Sequence, residues 1–128
     1  SLNPIVKEWL CQAEYDLETA KSLYRSRRYI YTIFMCHLAI EKALKAFVVK
    51  KTEKAPPKTH NLISLLKLGN VVLTTEQVKY ISRLSLAGII TRYPEDLKQA
   101  IDEYPRHVAL DYLKRTEDVI KCLKQQTV

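Results

Sequence analysis

The stretch Met35-Cys36-His37-Leu38-Ala39-Ile40-Glu41-Lys42-Ala43-Leu44-Lys45-Ala46-Phe47 decides the fold, because only one regular structure gives its residues consistent surroundings. On a helix of about 3.6 residues per turn, His37, Glu41 and Lys45 stand above one another in a narrow stripe. Ile33, Phe34, Cys36, Leu38, Ile40, Ala43, Leu44, Phe47 and Val48 cover most of the remaining circumference. A helix that apolar belongs inside a bundle. Ionisable groups on it are expensive unless they are paired, or face a cleft or another chain. The polar stripe is therefore the first place to look for function.

Working outward, this helix spans about Tyr29 to Lys51. Before it, Asn3-Pro4 reads as an N-cap followed by proline at the first helical position. Ile5, Trp9, Ala13, Leu17, Ala20 and Tyr24 then recur every three or four residues, so a first helix runs to between Arg25 and Arg28. The connector is too short for anything but an antiparallel hairpin. Arg25, Arg27 and Arg28 fall where cations complement the helix dipole, and capping is favoured over phosphate contact for them. After Lys51, Thr52 to Asn61 contains Pro56-Pro57 and no apolar period, which marks an exposed loop. Thr59 or Asn61 can cap a short helix from Leu62 to Leu68, ended by Gly69-Asn70.

Thr74-Thr75-Glu76-Gln77 fits a capping box and opens a helix through Val78, Ile81, Leu84 and Ser85, expected to weaken around Gly88. Thr91 to Asp96 is a break, since the residue before Pro94 is pushed out of the α region. Leu97 to Glu103 is left between loop and short helix. A last long helix begins near Pro105, with Ala109, Tyr112, Leu113, Thr116, Val119, Ile120 and Leu123 on its buried stripe. The expectation is all-α: an up-and-down four-helix bundle with one short additional helix, formed as a single domain over residues 1–128.

Composition agrees with that class. Hydrophobic residues make up 47% of the chain, enough for one core, and there are only two glycines to serve the turns of a sheet. No apolar run approaches the roughly 20 residues that span a bilayer, and no signal-peptide pattern occurs, so a cytoplasmic protein without membrane contact is expected. The three cysteines lie far apart and read as reduced, packed thiols; without C-x-x-C spacing no metal or other cofactor is expected. The net charge of +7 suits an anionic partner, although lysines scattered around helices often serve only solubility. Neither G-x-x-x-x-G-K-[ST] nor G-x-G-x-x-G is present, so any nucleotide site must be built from side chains and helix ends.

Three segments carry candidate chemistry. His37, Glu41 and Lys45 form the stripe, with Glu41 and Lys45 also readable as an ordinary helical ion pair. His60, in Thr59-His60-Asn61-Leu62, precedes a helix N-terminus, where free N–H groups gather anions. Arg92-Tyr93-Pro94 offers a planar fork for phosphate and an aromatic face. No nucleophile, base and orienting acid can be assembled from local patterns.

In this order, Ala13-Glu14-Tyr15-Asp16-Leu17, Ala39-Ile40-Glu41-Lys42-Ala43-Leu44-Lys45-Ala46, Thr59-His60-Asn61-Leu62 and Arg92-Tyr93-Pro94 resemble the HEPN domain family across nearly the whole chain. The resemblance implies a bundle of four to five helices and a module that binds nucleotide or RNA. It implies too a homodimer that acts with a small nucleotidyltransferase as a toxin–antitoxin-like pair. One branch of that family consists of metal-independent RNases with an Arg followed by His after four to six residues. This sequence departs from that pattern, since Arg106 and His107 are adjacent and Arg28 and His37 are too far apart. The resemblance therefore carries Glu41, Lys42, Lys45, His60, Arg92 and Tyr93 into a ligand- or partner-binding surface, beside His37, and no catalytic set. A non-catalytic binding module stands first; an endoribonuclease and a ligand-free homodimeric interaction protein remain as alternatives.

Overall fold

The computed structural model describes residues 3–127, so positions 1–2 and 128 of the expected domain lie outside the described residues. Among the described residues six helices follow one another: α1 (Pro4–Arg25), α2 (Tyr29–Thr52), α3 (Leu62–Leu68), α4 (Thr75–Arg92), α5 (Leu97–Glu103) and α6 (Arg106–Thr127). The helix centred on the stretch quoted above is α2, and it packs against each of the other five. That placement is why it is apolar nearly all round. Ile33, Ile40 and Leu44 are fully buried, each contributing about 1.5–3 kcal/mol through surface removed from water.

Local signals set most boundaries. Asn3 Oδ1 accepts from the Ile5 N–H, Asn61 Oδ1 from Ser64, and Thr74 with Gln77 forms the reciprocal capping box. Leu97–Glu103 is helical, capped by Asp96 Oδ1 on the Gln99 N–H, so the bundle carries two short helices instead of one. Asn70, not Gly69, takes the left-handed conformation after α3, with φ 48°. A Cβ at Gly69 would lie 3.1 Å from Phe47 Cδ1, a tight contact that Phe47 would have to relieve by a few tenths of an ångström.

The expectation that α4 weakens at Gly88 does not hold. The helix continues to Arg92, and Gly88 is buried against α2. Its missing side chain lets the two helices approach; the conformational freedom of glycine is not used. Behind this contact Tyr80 donates to, or accepts from, Thr116 Oγ1 at 2.7 Å and reaches Tyr112 O at 2.9 Å, which ties α4 to α6. Of the cysteines, Cys36 is buried, and burial pushes its thiol up to about 12; Cys11 faces solvent, contrary to the packed role expected of it.

Candidate functional site

The polar stripe of α2 is buried along its length: His37 is 4% exposed, Glu41 3% and Lys45 7%. Its charges are satisfied within the chain. Lys45 Nζ lies 3.2 Å from Glu41 Oε2 and 5.6 Å from the Trp9 ring centroid, so α1 roofs the cation. His60 Nδ1 lies 3.0 and 3.1 Å from the two Glu41 oxygens. A carboxylate only accepts, so Nδ1 carries the proton and Nε2 is the nitrogen left free to meet a ligand. The His60 side chain is 64% exposed, whereas that of Glu41 is 4% exposed. A buried carboxylate thus holds an accessible imidazole in one orientation.

His37 behaves differently. Its Nδ1 is 3.9 Å from Glu41 Oε1, too far for a hydrogen bond, and meets no other partner among the described residues. Burial lowers its pKa to about 4, with Glu41 opposing the shift and Arg92 and His60 adding to it. His37 is therefore a neutral imidazole near pH 7, pressed against Gly88, where a Cβ would stand 2.2 Å from His37 Cδ2.

Gly88 lies one turn before Arg92 on α4, and this spacing brings the second and third sequence segments to the first. A cavity of about 290 Å³ opens there, lined by His37, His60, Asn61, Ser85, Gly88, Ile89, Arg92 and Tyr93. The Arg92 guanidinium stacks 4.8 Å from the Phe34 ring centroid and pairs with no carboxylate among the described residues. Tyr93 is 76% exposed at the rim. An unpaired guanidinium, a neutral buried imidazole and a carboxylate-held imidazole thus face one partly apolar cleft. Such a set can take an anionic group and cover an aromatic one.

Of the seven candidates, His37, His60, Arg92 and Tyr93 line this cavity. Glu41 and Lys45 stand behind it as support. Lys42 does not join them: it turns toward α1, where its Nζ lies 2.8 Å from Asp16 Oδ2. His107, at the start of α6, is not part of the lining. The sequence reading missed Gly88, Ser85, Asn61 and the Phe34 platform. Gly88 had a signal, since it is one of only two glycines and stands four residues before Arg92. Phe34 had none beyond its apolar pattern.

A HEPN domain model matches residues 6–126. The chain belongs to the HEPN domain family. A curated relative of this HEPN chain is "Putative toxin MJ1304" of Methanocaldococcus jannaschii, 26% identical over 129 residues, covering 92% of this chain and 85% of that protein. Two solved structures share the fold. The crystal structure of TT1696 from Thermus thermophilus superposes with a TM-score of 0.80 at 21% identity, over 94% of this chain and 96% of that one. ST0689, an archaeal HEPN homologue, gives 0.79 at 19% identity, over 98% and 100%. Among the described residues of the HEPN chain, no helix is long and apolar enough to cross a membrane.

Proposed function

We propose that this HEPN chain is a non-catalytic binding module that holds the phosphate of a nucleotide, or of an RNA end, against Arg92. In this reading it works as one half of a toxin–antitoxin-like pair with a small nucleotidyltransferase. The observation that carries the reading is the convergence of the unpaired Arg92 with His60, His37 and Tyr93 on one cavity. Arg92 supplies the bidentate charge-assisted contact and His60 Nε2 a further polar contact, while Tyr93 stacks or donates its hydroxyl. Kinship with a protein named as a putative toxin supports the paired role, and a nucleotidyltransferase reading frame beside the gene would support it further. Homodimerisation belongs to the same reading: Ile89 and Tyr93 at the cavity rim, with Leu86 beyond them, expose apolar surface for a second copy to cover.

Calorimetric titration with AMP, ATP and short RNA tests the ligand. The reading expects saturable, salt-sensitive binding that Arg92→Ala weakens about tenfold or more, as loss of a charge-assisted hydrogen bond should. Absence of saturable binding to the wild-type chain would remove it.

One observation favours an endoribonuclease. Glu41 orients His60 as a carboxylate orients a general base, and Arg92 shares its cavity, so an arginine and a histidine line one cleft without the sequence spacing. Incubation with unstructured RNA separates the two readings: intact RNA supports the binding module, and cleavage that disappears in His60→Ala supports the enzyme.

A further inference from the structure

The basic run Arg25, Arg27 and Arg28 stands where it complements the α1 dipole, yet none of its guanidinium groups caps an α1 carbonyl. The last carbonyls of α1 are taken by the backbone N–H groups of Ser26, Arg27 and Arg28 and by the Ser26 hydroxyl. Arg25 reaches only Ser22 Oγ, at 3.1 Å, and no guanidinium of the run pairs with a carboxylate among the described residues. Arg106 joins them from the first turn of α6. Its Nε donates to Tyr24 Oη at 3.1 Å, and its guanidinium lies 5.8 Å from the Tyr24 ring centroid. Tyr24 and Tyr29 in turn pack with centroids 5.7 Å apart. Beside them Arg27, Arg28, Tyr29 and Tyr31 share a concavity of about 180 Å³ with Leu97 and Ile101 of α5. Tyr31 is 49% exposed.

Arginines elsewhere are differently placed. Arg83 and Arg115 both reach Asp111, and the acidic side chains Glu95, Asp96 and Glu103 line a separate cavity. Four exposed, unpaired arginines interleaved with tyrosines therefore mark one end of the bundle. Guanidinium groups are weakly hydrated and grip phosphate, and aromatic rings accept unstacked bases of any sequence. A duplex hides its base faces, and an acidic polypeptide would use the charges but leave the rings idle.

The geometry points to a single-stranded nucleic acid contact at this end of the bundle, with phosphates on Arg27, Arg28 and Arg106 and bases on Tyr29 and Tyr31. It shares its ligand class with the proposed function but none of its residues. Fluorescence anisotropy with labelled oligouridine over a salt series tests it, alongside AMP titration of the Arg92 cavity. In the Arg27→Ala/Arg28→Ala double variant the slope of log affinity against log salt should shrink by about 0.7 per arginine removed. Tyr31→Ala should weaken oligouridine binding about tenfold. Both variants should bind AMP as wild type does, and their residues are exposed enough to leave folding intact. Oligouridine binding unchanged in both variants, or displaced equally well by oligoglutamate, overturns the assignment. If wild type fails to bind AMP while oligouridine binding still depends on Arg27, Arg28 and Tyr31, the cavity reading falls and this one stands.

Discussion

Replacing Gly88 by alanine sets two physical effects against each other, and the structure says which wins. In an exposed helix interior the change stabilises by about 0.5–1 kcal/mol, because alanine has less backbone entropy to lose. Here the new methyl would stand 2.2 Å from His37 Cδ2, 2.5 Å from Cγ and 3.0 Å from Cβ. Carbon atoms prefer about 3.5–4.0 Å, so α4 must retreat from α2 or the buried His37 ring must leave its rotamer. Overpacking of this kind costs about 1–3 kcal/mol, which exceeds the propensity gain and leaves a net loss of about 1–2 kcal/mol. Urea denaturation should show a lower midpoint at unchanged slope, and thermal melting a drop of about 5 °C. In a His37→Ala background the 2.2 and 2.5 Å contacts are gone and only Cβ stays, at 3.0 Å, so Gly88→Ala should recover most of its loss. A Gly88→Ala protein as stable as wild type, or a loss that persists in full without the His37 ring, would refute the close-contact argument.

Two further outcomes follow from the buried stripe. The pKa of His37 is lowered to about 4 from 6.5, so the unfolded chain binds its proton first and stability falls as pH drops from about 6.5 toward 4. The loss amounts to about 3 kcal/mol, and it should vanish in His37→Leu when unfolding is followed across that range. Glu41→Gln leaves the buried Lys45 ammonium unpaired and should destabilise by about 3 kcal/mol, with most of the loss recovered in Glu41→Gln/Lys45→Met. A Glu41→Gln protein of wild-type stability would contradict the buried ion pair.

The apolar circumference of Ile33 to Val48 was enough to place α2 at the centre, because no other position satisfies so many apolar faces at once. The caps Asn3 and Thr74 were equally readable, since their hydrogen bonds reach only two or three residues along the chain, whereas the sequence left the α3 cap between Thr59 and Asn61, which the structure gives to Asn61. What could not be read was contact between distant segments. Lys42 and Lys45 look alike in sequence, yet one meets Asp16 on α1 and the other lies under Trp9, a difference of helix rotation that only packing settles. Gly88 reads locally as a helix breaker, although its role is to admit His37. The arginines after α1 read as caps because a sequence cannot show that Ser26 and the backbone already occupy those carbonyls.

Under the proposed function a nucleotide phosphate enters the cavity between α2, the α2–α3 loop and α4. The chain has only three histidines, and two of them line that cavity. Imidazole NMR resonances followed during AMP titration therefore report on it directly. Saturable shifts of His37 and His60, an unmoved His107, and no such shifts in Arg92→Ala are the expected result. Saturable binding that moves His107 alone, or that leaves all three resonances in place, would contradict it.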